Sequence, residues 1–270
     1  MIDSISNAQV KNIMQLQKKS RVRNEQHLFV AEGVKMVAET PIDRLEKVYI
    51  AQSFNPEKSL ASVSGSRLSS WLAQVPAETV SDRVFKELSQ TQTPQGMIAV
   101  VKMLDTKLET LLKNAHKGCY LVLETIQDPG NLGTIVRTAE GAGVDGIILN
   151  RTCVDIYNPK VIRSTMGALY RVPFVYVDDL HATLRRMKER GICLYAAHLK
   201  GKTDYYQQDY TSGCGFLIGN EAGGLTDETA ALADTYIKIP MCGQLESLNA
   251  AMAAGLLIYE ARRQRNLNQM

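Results

Sequence analysis

Residues 119–150 read CYLVLETIQDPGNLGTIVRTAEGAGVDGIILN, and this stretch predicts the fold class. An apolar run, CYLVLE, is followed by a turn at Pro129 and Gly130, a helical pattern and a second apolar run, GIILN. A strand, a crossover helix and a second strand in this order indicate parallel strands. The alternation continues through VPFVYV, ICLYAAHL, GCGFLIGN and TYIKIPM. We therefore predict an α/β domain with a six-stranded parallel sheet and helices on both faces.

The residues before this region predict a second, smaller α/β domain. The pattern predicts an amphipathic opening helix and then three short strands, FVAEG, VYIAQ and GMIAVV. A charged, helix-prone stretch follows these strands. A chain of 270 residues is long enough for two domains. We expect one domain over residues 1–103, a linker over 104–117 and the larger domain over 118–270.

The composition excludes several classes of protein. The net charge of +3 is too small for a global electrostatic attraction to nucleic acid, so such binding would need local clusters. No apolar run is long enough to span a membrane, and the first residues lack the apolar core of a signal peptide. The five cysteines form no CxxC pair, which argues against zinc and for a reducing compartment. We expect a cytoplasmic protein without a metal site and without a membrane anchor.

The sequence contains partial matches to two familiar nucleotide-binding motifs. Gly141, Gly143 and Gly146 spell GxGxxG, but they end a helix and lead into a strand, the reverse of the dinucleotide-binding order. We interpret them as a helix C-cap and a tight turn. Gly201-Lys202-Thr203 would need a glycine at position 196 to form a P-loop, and that residue is Ala196. His198 follows a strand, where a structural role is the more frequent one.

Three other segments carry polar residues that a plain scaffold does not need. The first, residues 128–144, has Asn131 where a helix should begin, as an N-cap, and Arg137 nearly two turns later. A solvent-facing arginine is an equally common interpretation of Arg137. The second, FLIGNEAGGLTDE at residues 216–228, places Asn220 and Glu221 among glycines at the end of a strand. Glycines there allow a ligand to approach the backbone.

The third segment, residues 239–264, begins IPMCGQLESLN and continues as a helix. We predict that Ser247 caps this helix, which leaves the neighbouring Asn249 without a structural role. The small residues of this helix would let another element approach it closely. The helix also carries an apolar stripe, which predicts either core packing or an interface and comprises Leu248, Met252, Gly255, Leu256 and Tyr259.

These three segments, in this order, resemble the three motifs of the SpoU (TrmH) family of RNA ribose methyltransferases, which belongs to the SPOUT class. The match spans roughly residues 120–263. In the family the first motif carries an Asn and the catalytic Arg, the second is a G-N-E turn, and the third reads I-P-M followed by S-L-N. The corresponding residues here are Asn131, Arg137, Gly219, Asn220, Glu221, Ile239, Pro240, Met241, Ser247, Leu248 and Asn249. Residues 163–167 loosely match a further family segment, R-x-S-x-G.

The resemblance implies an enzyme that transfers a methyl group from S-adenosylmethionine to a ribose 2'-hydroxyl of RNA. It implies a C-terminal trefoil knot that forms the cofactor site, and a homodimer whose active sites use both chains. The catalytic candidates are Arg137, Asn131, Glu221, Ser247 and Asn249. The cofactor candidates, largely backbone, are Gly219, Ile239 and Leu248, with Leu199, Ile218, Asn220, Gly224 and Met241 beside them.

The first domain resembles the ribosomal-protein-like RNA-binding domain of rRNA-directed family members, with FVAEG as its most recognisable piece. This favours 23S ribosomal RNA as substrate. A tRNA ribose methyltransferase, or a non-catalytic RNA-binding or ribosome-assembly protein, are the alternatives. Glu32 and Gly33 are candidates for substrate contacts or for structural roles. The opening helix supplies a basic patch that would either contact phosphate or face solvent: Lys11, Lys18, Lys19, Arg21 and Arg23.

Overall fold

The structure is a computed structural model that describes residues 1–55 and 71–267. The predicted domain ranges also include residues 56–70 and 268–270, which lie outside the described residues. The contacts divide the chain into two compact units. Unit 1 contains residues 1–104 and 155–170, and unit 2 contains residues 105–154 and 171–270. The first unit therefore includes a segment from the middle of the chain, which the sequence pattern does not reveal.

Unit 1 is a four-stranded mixed sheet with short helices. The strand order is β1-β4-β2-β3, in which β4 is antiparallel to β1 and β2, and β3 is parallel to β2. The three predicted strands are present as β1, β2 and β4, whereas β3 was not predicted. The elements are α1 (Ala8–Lys18), α2 (Ser20–Gln26), β1 (Leu28–Glu32), α3 (Val34–Ala38), β2 (Leu45–Ala51), β3 (Ala77–Val80), α4 (Asp82–Leu88), β4 (Met97–Lys102) and the later α7 (Pro159–Thr165).

Two predictions about unit 1 change with the structure. Arg23 is not part of a phosphate-binding patch, because its side chain is buried and forms an ion pair with Asp155. Buried charges are expected to be paired in this way. Glu32 has a structural role, since its carboxylate accepts hydrogen bonds from the Ser89 and Thr91 hydroxyls and from the Gln90 amide.

Unit 2 is a seven-stranded, fully parallel sheet in the order β7-β6-β5-β10-β8-β11-β9. The predicted parallel α/β fold is confirmed, but with one more strand. The strand that the sequence does not predict is β9, which is only two residues long and too short to give a sequence signal. The elements are α5 (Leu108–Leu111), β5 (Cys119–Leu123), α6 (Pro129–Ala142), β6 (Gly146–Asn150), β7 (Phe174–Val177), α8 (Leu180–Glu189), β8 (Cys193–Ala197), β9 (Thr203–Asp204), β10 (Cys214–Ile218), α9 (Asp227–Ala230), β11 (Thr235–Lys238) and α10 (Ala250–Leu267).

Helices cover both faces of this sheet. On one face, Leu184 and Met187 of α8 share a core with Tyr120, Val122 and Leu217. Side chains alternate between faces along a strand, so Phe216 points to the opposite side. There its ring packs on Tyr210, whose amide donates to Gln264 of α10. Helix α10 also packs along α6. Within the described residues, no helix is long and apolar enough to cross a membrane.

The order of the strands creates a crevice at one edge of the sheet. Strands β5, β6 and β7 follow one another toward one edge of the sheet, and the later strands β8, β10 and β11 lie on the other side of β5. The central pair is β5 and β10, which lie side by side in register. Ligands bind to open parallel sheets at such a switch point, outside the carboxyl ends of the strands. The segments that follow β5 and β10 contain the first and second motifs.

The helix caps correct two assignments. Asp128, not Asn131, is the N-cap of α6, because its side chain accepts from the Asn131 amide at 2.8 Å. Asn249, not Ser247, caps α10, since its Oδ1 atom accepts from the Ala251 and Met252 amides. Both errors come from choosing between two residues, two or three positions apart, that both favour a cap position. The C-cap predicted after residue 142 is confirmed: Gly143 ends α6 with φ +72°.

Candidate functional site

A cavity of about 770 Å³ opens at the carboxyl edge of the seven-stranded sheet. This volume is within the range of small-molecule sites. Its walls come from the ends of β8, β10 and β11 and from the start of α10. All eight cofactor candidates line it, together with two of the catalytic candidates: Leu199, Ile218, Gly219, Asn220, Gly224, Ile239, Met241, Leu248, Glu221 and Ser247. Residues from three separate segments of the sequence thus meet in one place.

The cavity wall after β10 is a tight loop that leaves Gly219 no room for a side chain. A Cβ atom at Gly219 would lie 2.1 Å from the carbonyl carbon of Gly224 and 2.1 Å from the amide nitrogen of Leu225. The loop is closed by paired backbone hydrogen bonds between Asn220 and Gly224, both 2.9 Å long. The Asn220 side chain accepts from the amides of Ala222 and Gly223. The glycine at position 219 is therefore required by backbone packing.

A chain of hydrogen bonds links the three motifs. Asn249 donates through Nδ2 to Oδ1 of Asn131 at 2.8 Å, and Asn131 donates through Nδ2 to Oε1 of Glu221 at 3.0 Å. Glu221 also accepts from the amides of Gln127 and Asp128, at 3.1 and 3.0 Å. Each asparagine donates one of its two amide hydrogens in this chain of hydrogen bonds, and among residues 1–55 and 71–267 the second has no acceptor.

The environment keeps Glu221 ionised. Burial by itself would raise the pKa of Glu221, but the hydrogen bonds from the Asn131 side chain and from the Asp128 and Gln127 amides lower it below the usual value. Hydrogen bonds to a carboxylate stabilise its charged form. Because an ionised carboxylate only accepts, the Asn131 amide nitrogen must face it, and the orientation of Asn131 is fixed.

The turn after β5 contains a strained residue that also contacts the second motif. Thr125 has φ +57°, an unusual value for a β-branched residue. Its amide donates to Oδ1 of Asn150, and its hydroxyl lies 2.7 Å from the Thr152 hydroxyl. Its carbonyl accepts from Nδ2 of Asn220 at 2.9 Å. Backbone strain of this kind is common at functional sites, where neighbouring contacts hold it.

Arg137 does not line the cavity of a single chain. It lies in α6, eight residues after Pro129 and so about 12 Å along the helix. Its side chain is exposed. The neighbouring Thr138 faces α10, where a Cβ atom at Gly255 would lie 3.4 Å from its methyl group. The small residues of α10 thus allow the predicted close approach of another helix, which is α6.

The motifs did not reveal every residue of the cavity. Lys200, Asp227, Lys238 and Glu246 bring charge to its wall, and His198 lines it while stacking on Tyr236 with ring centroids 5.0 Å apart. The signal that could have found Lys200 and Lys238 is their position, since each closely follows a parallel strand at this edge. Thr125 carries no sequence signal, because its role depends on a backbone angle.

Comparisons with known proteins identify the family. The SpoU rRNA Methylase family matches residues 118–259, and the MRM3-like substrate binding domain matches residues 7–99. The chain belongs to the SpoU family of methylases. It is 31% identical to the 23S rRNA (guanosine(2553)-2'-O)-methyltransferase RlmP of Bacillus subtilis, over 97% of this chain and 98% of that protein.

Two solved structures share the fold over nearly the whole chain. The AdoMet-bound rRNA methyltransferase of Sinorhizobium meliloti is 30% identical with a TM-score of 0.84, over 97% of each chain. The SpoU methyltransferase AviRb of Streptomyces viridochromogenes, in complex with AdoMet, is 25% identical with a TM-score of 0.83, over 97% of this chain and 100% of that one. The predicted class of enzyme, an S-adenosylmethionine-dependent RNA 2'-O-methyltransferase, is confirmed. A trefoil knot is typical of this fold, and for this chain it stays a prediction.

Proposed function

We propose that this protein methylates a ribose 2'-hydroxyl of 23S ribosomal RNA, with S-adenosylmethionine as the methyl donor. The observation that carries the proposal is the hydrogen-bond chain from Asn249 through Asn131 to Glu221 at the mouth of the cavity. The choice of ribosomal RNA is supported by the full-length match to a 23S rRNA methyltransferase, which includes unit 1. With ribosomal RNA as substrate, we further infer a cytoplasmic location.

The cavity suits S-adenosylmethionine. Gly219, Ile239 and Leu248 would hold it through their backbone groups, with Leu199, Ile218, Asn220, Gly224 and Met241 around them. Asp227 is offset by Lys200 at 3.5 Å, and Glu246 in the wall would favour the cationic groups of the ligand. Gly219 allows the loop to close on the backbone of Gly224 and Leu225 and so holds this wall in place. When bound, the cofactor supplies an electrophilic methyl group.

The residues at the mouth of the cavity would orient the RNA ribose. Asn131 and Asn249 do not line the cavity themselves, but Glu221 and Leu248, which adjoin them, do. Within the described residues, each has one amide hydrogen outside the chain of hydrogen bonds, which would donate to a ribose or phosphate oxygen. Glu221 orients the Asn131 amide directly and the Asn249 amide through Asn131. It does not itself act as a base, because four donors occupy its acceptor positions. Ser247 supplies a further hydroxyl in the wall. Holding the 2'-hydroxyl close to the methyl group accounts for a large part of the rate.

Arg137 would stabilise the developing negative charge on the 2'-oxygen. Its guanidinium stays protonated at any physiological pH, so it cannot remove the proton. It can donate to the 2'-oxygen and to an adjacent phosphate at once, while the proton leaves to phosphate or water. This role requires Arg137 to reach a cavity that it does not line within one chain.

We infer that a second copy of the chain completes the site. Met252, Leu256 and Tyr259 are exposed on α10, next to the helix that carries Arg137, and they form an apolar stripe at helical spacing. Of the predicted stripe, Gly255 packs near Thr138 and Leu248 lines the cavity, so these three exposed residues are the part that would form an interface. Light scattering should give the mass of a homodimer. A monomer with full activity would contradict this part of the proposal.

Unit 1 would bind the RNA outside the active site. The lysines of the opening helices remain exposed, namely Lys11, Lys18 and Lys19, whereas Arg21 is paired with Glu25. Each contact of a lysine with phosphate makes RNA binding more sensitive to salt. The match of residues 7–99 to a substrate binding domain supports this assignment.

The direct test is to map 2'-O-methylation in total RNA from cells with and without the gene. We expect one site in 23S ribosomal RNA to lose its methyl group and to regain it when purified protein and S-adenosylmethionine are added. Loss of a 2'-O-methyl group at a tRNA position, with unchanged methylation of ribosomal RNA, would assign the tRNA activity instead. Unchanged RNA in both pools would contradict methylation as the function.

A further inference from the structure

Tyr206 is an exposed aromatic residue beside the cavity, with 49% of its surface accessible. It follows β9, the edge strand of the seven-stranded sheet, in which Asp204 is the register partner of Lys238 on β11. Lys238 lines the cavity and is followed directly by Ile239 of the cofactor loop. Tyr206 therefore lies at the carboxyl edge of the sheet, next to the methyl-transfer site.

The ring of Tyr206 is held in place although it is exposed. Its hydroxyl donates to Oδ2 of Asp204 at 2.8 Å, and its ring meets Tyr205 edge to face with centroids 5.3 Å apart. Asp204 is itself fixed, because its amide donates to Gln207 and its carboxylate faces Lys238 at 3.8 Å. A ring that is already ordered loses little conformational entropy when a ligand covers it.

The charges around Tyr206 suit a nucleotide. Lys200, Lys202 and Lys238 are all exposed on the segments next to the ring. Lys200 is 3.5 Å from Asp227, and Lys238 offsets the charge of Asp204. Among the described residues, no ion pair involves Lys202, so its ammonium is available for a phosphate. Lys202 directly precedes β9 and Tyr206 follows it, and an aromatic ring together with a nearby available lysine is a combination that binds single-stranded nucleic acid.

We propose that Tyr206 stacks on a nucleobase of the substrate RNA next to the methylated nucleotide, and that Lys202 contacts the adjoining phosphate. The inference rests on the proposed function, since it takes RNA as the substrate of this cavity. Sequence-specific RNA recognition usually targets unpaired nucleotides whose bases can stack on aromatic side chains. Stacking of this kind tolerates any base, so Tyr206 sets the position of the strand and leaves its sequence to other contacts.

The first test compares Tyr206→Ala with Tyr206→Phe and Tyr206→Trp. Two measurements are made on each: affinity for a fluorescent oligoadenylate of about ten nucleotides, and methylation of ribosomal RNA from cells that lack the gene. The alanine variant should bind the oligonucleotide about tenfold or more weakly and raise the KM for RNA similarly, the scale of one lost base stack. The kcat and the affinity for S-adenosylmethionine should stay within about twofold. The phenylalanine and tryptophan variants should bind nearly as wild type.

The second test compares Lys202→Ala with Lys113→Ala. Lys113 is also exposed, but it lies near Asp145 and Pro173, which precede strands and so mark the opposite edge of the sheet. Loss of one phosphate contact should weaken oligonucleotide binding and reduce the slope of log affinity against log salt by about one. Lys113→Ala should leave both quantities unchanged.

Three results would overturn the proposal. Wild-type RNA affinity in Tyr206→Ala would show that the ring contacts no base. A change of mass in light scattering would mean that the ring packs against a second copy of the chain. A loss of cofactor affinity would mean that it supports the cofactor loop. If wild-type protein binds S-adenosylmethionine but methylates no RNA, the proposed function fails, and oligonucleotide binding still decides the role of Tyr206.

Discussion

At the amino edge of the seven-stranded sheet, polar groups are paired within the protein, whereas at the carboxyl edge donors are left for a ligand. Arg265 of α10 donates to the carbonyls of Tyr210, Lys117 and Ser212, at 2.9, 2.8 and 2.8 Å, in the segments that enter β5 and β10. At the other end of the same strands, Asn131 and Asn249 each keep a free amide hydrogen. On the proposed function, we expect the amino edge to stabilise the fold and the carboxyl edge to bind the cofactor and the RNA.

We expect the largest loss of activity from substituting Arg137, which lies in the helix that starts at the carboxyl edge. Arg137→Ala should lower single-turnover methylation of RNA about a hundredfold or more, because a donor that stabilises charge only in the transition state is lost. Since the side chain is exposed, the melting temperature and the affinity for S-adenosylmethionine should hardly change. Arg137→Lys should restore little activity, because an ammonium cannot bridge two oxygens. Near wild-type methylation by the alanine variant would leave Arg137 without a catalytic role.

A second effect is expected in the loop after β10. Gly219→Ala should weaken binding of S-adenosylmethionine about tenfold or more, because the new Cβ atom would lie 2.1 Å from backbone atoms and the loop must move. Gly223→Ala is the matched control, since its nearest new neighbour, Oδ1 of Asn220, is 3.9 Å away. Calorimetric titration of both variants measures the difference. Equal affinities would show that the cofactor does not depend on this wall.

A smaller effect, on stability alone, is expected at the amino edge. Arg265→Ala should lower the free energy of unfolding by about 1–3 kcal/mol, because several carbonyls lose their donor. The affinity for S-adenosylmethionine should remain within about twofold of wild type. Arg262, exposed on the same helix, provides the control variant Arg262→Ala, which should melt as wild type. If Arg265→Ala melted normally but bound S-adenosylmethionine poorly, the amino edge would contribute to cofactor binding, contrary to this prediction.

The smallest effect concerns pH. The pKa of Glu221 is lower in the folded protein than in the unfolded chain, so the stabilisation from its ionised form is complete above the ordinary glutamate pKa of about 4.3. It is lost only as the pH falls through the lowered value. Cofactor affinity and melting temperature should therefore show no Glu221-dependent step between about pH 5 and pH 8, and Glu221→Gln should not alter either profile in that range. A step near pH 6 that the glutamine variant removes would contradict this assignment.

The sequence predicted which cofactor candidates lie together better than it predicted the local structure around them. Gly219 could be found because it follows a strand of a parallel sheet, and the carboxyl ends of such strands meet at one edge. Glu221 and Ile239 were assigned through the resemblance to the family motifs. The sequence predicts Asn131 as an N-cap and leaves Asn249 without a structural role, and the structure reverses these two assignments. Asp128 caps α6, and Asn249 itself caps α10. Candidate caps two or three positions apart compete on small energy differences that sequence alone does not resolve.

The sequence by itself determined the parallel α/β class, the six longer strands and the set of polar residues at the carboxyl edge. These follow from hydrophobic periodicity and from short motifs, which are local properties. Only the tertiary structure decided that Arg23 pairs with Asp155, that Thr125 adopts a left-handed backbone and that Arg137 stays outside the cavity of its own chain. Each of these depends on contacts between residues far apart in the sequence or on the direction of one side chain. The free energy of such contacts is set by the assembled neighbours, so no local pattern contains it.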